Sequence, residues 1–212
     1  MEKNIIVAAT GASGLPLLVQ CLKIIKENDD FKSYLIMSDS AKLTLKQETN
    51  YSLEDVYSYA DFVLDQNDIG AGPASGSFKT HGMLIVPCSM KTIAGINSGY
   101  GENLILRAAD VTIKEQRTLV IAARETPLSP IHLRNMYELS QMPGVRIIPP
   151  MMTFYNLPKD IDEMMYHIGA KLLEPFGIEA KEYRSWTGLH TKESCHFQQS
   201  SYTYYKLVMT II

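Results

Sequence analysis

The stretch Arg107–Asn135, RAADVTIKEQRTLVIAARETPLSPIHLRN, decides the fold. It reads as a helix, a strand, a tight loop and a second helix. The apolar run Leu119-Val120-Ile121-Ala122-Ala123 is short and uninterrupted, as a strand buried on both faces should be. It stops at Arg124-Glu125, two opposite charges where the strand meets its loop. In open α/β sheets, ligands sit outside the carboxyl ends of the strands. Arg107 and Lys114 are two helical turns apart and share a face, which directs two more cations toward the same loop. A carboxylate among three cations at a strand end is a candidate anion site with an acid or base beside it. The bland alternative is a solvated ion-pair cluster.

Working outward, the same alternation recurs. Asn4 to Thr10 reads as a first buried strand and runs into Gly11-Ala12-Ser13-Gly14. Leu15 to Lys26 shows helical apolar spacing, with Pro16 tolerated in the first turn. Strand, glycine turn and helix place backbone N–H groups against a phosphate. A tight turn using glycine for backbone reasons explains the pattern equally well. Ser13 adds a hydroxyl that either bonds a ligand or caps the helix.

Ser33 to Met37 reads as a second strand ending at Ser38, followed by a helix from Ala41 to Glu48. On pattern alone, Ser38 is a ligand contact or a cap, and Glu48 is an exposed glutamate. Ser52 to Tyr59 is helical, and Ala71 to Ser77 is loop by composition. Gly82 to Val86 is a third strand, followed by the small polar turn Ser89-Met90-Lys91-Thr92 and a helix over Ile93 to Asn97. Two such turns suggest a flat anion carrying a phosphate and a ring. Helix Pro130 to Gln141, strand Val145 to Ile148 and helix Asp160 to Leu173 complete the alternation. The expectation is an α/β, Rossmann-like or flavodoxin-like open parallel sheet with helices on both faces.

Composition narrows the partners. The 212 residues suffice for one domain with a real core. A formal charge of −3 gives no general attraction to nucleic acid or anionic membrane. Three cysteines, Cys21, Cys88 and Cys195, without a CxxC, argue against a disulfide framework or zinc site and fit a cytoplasmic protein. MEKNIIVAAT lacks the apolar region of a signal peptide, and no apolar run approaches membrane-spanning length.

TGASG after the first strand, PCSMKTIAGINSGYGENLILRAADVTIKEQRTLVIAARETPLSPIHLRNM, PPMMTFYNLP and RSWTGL resemble the flavin prenyltransferase (UbiX) family. They occur in the family order across residues 4–189, and the sequence looks closest to B subunits associated with hydroxyarylic acid decarboxylases. The resemblance implies transfer of a dimethylallyl group from dimethylallyl phosphate to reduced FMN without a metal. It also implies a homo-oligomer, in many members a dodecamer, and delivery of prenylated FMN to a UbiD-type decarboxylase. Residues 1–189 would form a single FMN-binding domain, followed by a tail over 190–212. The alternatives are an FMN-dependent decarboxylase or oxidoreductase, or a noncatalytic flavin carrier.

Position by position, the resemblance implies that Gly11, Ala12, Ser13, Ser38, Ser89, Met90, Lys91, Thr92 and Arg124 contact FMN. Arg107, Lys114 and Arg124 would surround the prenyl phosphate. Tyr155 would reach it from a neighbouring subunit, and Trp186 would lie near the prenyl group. Lys171 falls where the family commonly has arginine, which replaces a planar fork with a point charge. Ser13, Glu48, Glu125 and Lys114 are the catalytic candidates. Cations hold a departing phosphate, and an aromatic face stabilises positive character on the allyl group. The ring carbon that closes must lose its proton, and Glu125 relayed through Ser13 is a suitable path. His81, His132 and His167 form no triad by spacing and read as structural or surface residues.

Overall fold

The computed structural model describes residues 2–188. The tail expectation for 190–212, with Cys195 and His196, lies outside the described residues. Six strands form one parallel sheet: β1 (Lys3–Ala9), β2 (Phe31–Met37), β3 (Phe62–Leu64), β4 (Gly82–Cys88), β5 (Thr118–Ala123) and β6 (Val145–Ile147), in the order β3-β2-β1-β4-β5-β6. Val7 faces Leu35 on one side and Leu84 on the other, and Leu84 faces Val120. The helices are α1 (Leu15–Lys26), α2 (Asp39–Glu48), α3 (Leu53–Ser58), α4 (Met90–Asn97), α5 (Leu104–Lys114), α6 (Pro130–Ser140) and α7 (Ile161–Leu173). Without the short edge strand β3, the order is that of a flavodoxin-like sheet.

The chain winds outward from β1 to β3, then returns to β4 and winds the other way. Parallel crossovers keep one hand, so reversing direction moves the helices to the opposite face. The two buried clusters follow from this. Ile5, Val7 and Ala9 pack with α1, α2 and α7, whereas Ile6 and Ala8 pack with α4, α5 and α6. Alternate residues of β4 and β5 divide the same way, which is why these strands read as continuous apolar runs.

The helices start where side chains satisfy free N–H groups. Ser38 Oγ accepts from Ala41 N at 3.1 Å, and Asn103 Oδ1 accepts from Leu106 N at 3.0 Å. Ser52 with Asp55 and Ser129 with His132 form reciprocal capping boxes. Helix α1 matches the expected Leu15–Lys26, and α5 starts three residues before the expected Arg107 because its cap is Asn103. Strand β3 has no counterpart in the sequence pattern, because Phe62 and Val63 are about half exposed and show no alternation. Tyr34 stacks on Phe62 with ring centroids 4.5 Å apart, which anchors that short edge. Within 71–77, Gly72–Ala74 form one 3-10 turn.

The described residues group into two compact units, 2–153 with 158–183, and 154–157 with 184–188. In the second, Tyr155 and Trp186 meet edge to face with centroids 5.6 Å apart. In the first, His81 Nε2 bonds the Phe176 carbonyl at 2.9 Å, His132 Nδ1 accepts from Ser129 N, and buried His167 lies beside the Tyr183 ring. No helix among the described residues is long and apolar enough to cross a membrane.

Gly82 opens β4 where neighbours leave no room for a side chain. A Cβ there would lie 2.4 Å from the Thr118 carbonyl oxygen and 2.7 Å from the Phe176 ring. Gly82→Ala is expected to lower stability by about 1–3 kcal/mol, the usual cost of overpacking. Urea unfolding should show a lower midpoint with an unchanged slope. An unshifted midpoint would show that this contact relaxes without cost.

Candidate active site

The carboxyl ends of four strands are laced into one shelf. Ser38 N donates to the Ala9 carbonyl at 3.0 Å, joining β2 to β1. Thr10 joins β1 to β4: its N–H and hydroxyl both donate to the Pro87 carbonyl, and its Oγ1 accepts from Ser89 N at 2.8 Å. Arg124 N donates to the Cys88 carbonyl at 3.1 Å, joining β5 to β4. The shelf spans the point where the winding reverses, the place where open α/β sheets bind ligands.

A cavity of about 320 Å³ stands on this shelf. Gly11, Ser38, Ser89, Lys91 and Thr92 line it, five of the positions expected to hold FMN. The first turns of α2, α4 and α5 border it through their caps Ser38, Ser89 and Asn103. Their unshared N–H groups and dipoles favour an anion, and Lys91 adds a full charge. Gly11 is required by close packing, since a Cβ would fall 2.4 Å from Ser40 Cβ. Sequence reasoning missed Thr10, Gln66, Asn67, Glu102 and Asn103, which also line the cavity. Asn103 carries a readable cap signal. Gln66 and Asn67 come from a loop with none.

Ala12 and Met90, also expected to contact FMN, are not among the residues lining this cavity; both are buried, and Met90 packs in the core cluster with α4 and α5. Cys88, directly before Ser89, is fully buried, and burial pushes its thiol pKa far up.

A second group of residues forms at the start of α1. Glu48 is half-buried, and its Oε2 accepts from Gly14 N and Leu15 N, both at 2.9 Å. The α1 N-terminus, which the glycine turn suggested for a phosphate, is therefore occupied by the protein's own carboxylate. Burial raises the Glu48 pKa. The Ser13 hydroxyl, the two N–H groups and the Arg124 charge outweigh it and hold the carboxyl below the ordinary glutamate range. Glu48 thus stays ionised, with Ser13 as its donor. Ser13, expected to relay a proton for Glu125, hydrogen-bonds Glu48. Glu125 is exposed, and its Oε1 accepts from Thr126 N at 2.9 Å.

The remaining cations do not all converge. Arg124 stands at the shelf, exposed and without an ion pair among the described residues. Arg107 bonds Asp110 at 2.8 Å. Lys114 bonds Glu115 at 2.8 Å beside Gly76, at the far end of α5, about 16 Å along the helix from Asn103. Lys171 pairs with Glu174, and the 3-10 turn Glu174–Phe176 brings Phe176 against Gly82 at the amino end of β4. One chain therefore does not bring Lys114 or Lys171 to Arg124. Tyr155 and Trp186 belong to the second unit, both about half exposed. Among the described residues, no group of three metal-ligating side chains gathers.

A parallel sheet with an anion-binding cavity at its switch point and an arginine at the next strand end defines a nucleotide-type flavoprotein architecture. Residues 1–169 match the flavoprotein family model. Within that class the chain belongs to the UbiX-like flavin prenyltransferases. It is 50% identical to the flavin prenyltransferase LpdB of Lactiplantibacillus plantarum, covering 88% of this chain and 99% of that protein. It superposes with TM-score 0.85 on a dodecameric FMN-dependent UbiX-like decarboxylase from Escherichia coli O157:H7, at 48% identity over 87% of this chain and all of that one. It superposes with TM-score 0.86 on AnUbiX (PadA1) in complex with FMN and dimethylallyl pyrophosphate, at 41% identity over 90% of this chain and all of that one.

Glu48→Gln tests the electrostatics of the α1 cap. A lowered native pKa adds stability above the unfolded-state pKa, and that stability is lost as pH falls through the native value. At pH 7 the variant should melt about 2–4 °C below the parent. The gap should close on acidification below the ordinary glutamate range. A gap independent of pH would mean that the Glu48 charge does not stabilise α1.

Proposed function

We propose that this protein transfers a dimethylallyl group from dimethylallyl phosphate to reduced FMN, and that the product serves a UbiD-type aromatic acid decarboxylase. The observation that carries this reading is the cavity at the switch point beside the Ser13–Glu48–Arg124 group, in a chain of this family. The residues present fit FMN: three helix starts, Lys91 and the hydroxyls of Ser38, Ser89 and Thr92 suit its phosphate. When bound, reduced FMN supplies the ring atoms that accept the prenyl group.

The chain's own residues supply binding, charge stabilisation and proton movement. Arg124 forms no salt bridge among the described residues and holds the departing phosphate. Ser13 donates its proton to ionised Glu48, which leaves the serine oxygen able to accept a proton from the reacting ring carbon. Glu125 is a second proton acceptor, on the loop after β5. Arg107 completes the prenyl-phosphate side.

Lys114, Lys171 and Tyr155 act in a neighbouring subunit's site, in a homo-oligomer that we take to be a dodecamer. Supporting this are the placement of both lysines away from Arg124 within one chain and the described assembly of the E. coli relative. Exposed Met151, Met152, Phe154 and Tyr155 suit a subunit contact. We read residues 1–189 as the FMN-binding domain and the cytoplasm as its location, where free thiols such as Cys21 and Cys88 persist.

Mass spectrometry after incubation with reduced FMN and dimethylallyl phosphate should show a flavin heavier by one prenyl unit. An unmodified flavin, with FMN demonstrably bound, would reject the transferase reading in favour of a carrier. Ser13→Ala and Glu125→Gln should each keep FMN binding and lower the prenylation rate by roughly 10²–10⁴-fold. A variant that retains the parental rate loses its place in the proton path. Sedimentation should show a species well above 23.8 kDa, and a fully active monomer would refute the shared site.

A further inference from the structure

Far from the cavity, the carboxyl end of α5 carries a built cluster of charges. Arg117 pins residues 76–80 across it. Its Nη2 donates to the Gly76 carbonyl at 2.7 Å, and its Nη1 donates to the Phe78 carbonyl at 2.8 Å and to Thr80 Oγ1 at 3.2 Å. The Glu115 carboxylate lies between two cations: Lys114 Nζ donates to Oε1 at 2.8 Å, and Arg117 Nη2 stands 3.7 Å from Oε2. Gly76 makes room for this pair. A Cβ there would overlap Glu115 Oε1 and stand 3.0 Å from Lys114 Nζ. The Gly76 backbone is not left-handed, so the empty space is what glycine supplies.

Stability does not explain Glu115. It directly follows the last residue of α5, where the helix dipole disfavours a carboxylate. The Lys114 and Glu115 side chains are 48% and 32% exposed, and ion pairs this open add little to folding. We infer that Glu115 is a positioning residue for Lys114, holding its ammonium in place for the prenyl phosphate of a neighbouring subunit's site, with Gly76 leaving the space this needs. The inference rests on the reading of Lys114 as a ligand of that phosphate. A free lysine spreads its charge over many rotamers, whereas a held one has lost that entropy before the phosphate arrives. Glu115 takes one ammonium proton and leaves the others for the phosphate. Because Arg117 shares the carboxylate, the cluster still presents net positive charge.

Steady-state kinetics of the full-length protein, varying dimethylallyl phosphate at saturating reduced FMN, test this. Circular dichroism and sedimentation establish that each variant folds and assembles. Glu115→Ala and Gly76→Ala should each raise the KM for dimethylallyl phosphate by roughly 3–10-fold, the cost of immobilising one long side chain. FMN affinity and melting temperature should stay at the parental values. In a Lys114→Ala background, Glu115→Ala should add no further loss, because it acts through the lysine. A lowered KM in Glu115→Ala would show that the carboxylate merely repels the phosphate. That result, an unchanged KM in both single variants, or an additive loss in the double variant would overturn the assignment. An unchanged KM in Lys114→Ala alone would instead refute the reading of Lys114 beneath it.

Discussion

The site depends on one hydroxyl. Thr10 Oγ1 donates to the Pro87 carbonyl at 3.0 Å and accepts from Ser89 N at 2.8 Å, so it uses both of its roles at once. These bonds cross the gap between β1 and β4, the strands between which the winding reverses. At that reversal the loops diverge to opposite faces, and no crossover helix closes the space between them. The threonine holds the floor while the loops separate above it. It is 4% exposed, so both bonds are shielded from bulk water, and losing the side chain leaves the Pro87 carbonyl and Ser89 N without this partner.

Above that floor the helix starts are used in two different ways. The α1 start is filled from within by Glu48, whose oxygen serves two backbone donors. The starts of α2, α4 and α5 border open space. The protein thus separates a carboxylate held ionised at the α1 start from a positively biased cavity suited to phosphate. Arg124 lies close enough to Glu48 to lower its pKa, and it links the two regions electrostatically. A phosphate at the α1 start would have removed Glu48 from Ser13.

The fold was legible because parallel strands buried on both faces announce themselves. Leu119 to Ala123 is unmistakable, while the half-exposed edge strand Phe62–Leu64 carries no such signal. Five cavity residues were legible because polar turns directly follow the strands. Glu48 was not, on pattern alone: its partners Gly14 and Leu15 lie 34 and 33 residues away, and helix periodicity says nothing about such contacts. Lys114 illustrates a different limit. It does sit on α5 in helical register with Arg107, but sharing a face fixes rotation about the axis and not position along it. The helix carries Lys114 to the opposite end of the sheet, beside Gly76.

Cys88 has a bearing on chemical compatibility. It lies one residue before the cavity wall at Ser89, in a site read as handling an allylic electrophile. A thiolate there would be the best nucleophile in the neighbourhood and would be alkylated by the donor. Complete burial raises the thiol pKa and keeps the sulfur protonated, which removes most of its nucleophilicity. The same packing that seats β4 under α4 therefore protects the catalyst from its own reagent.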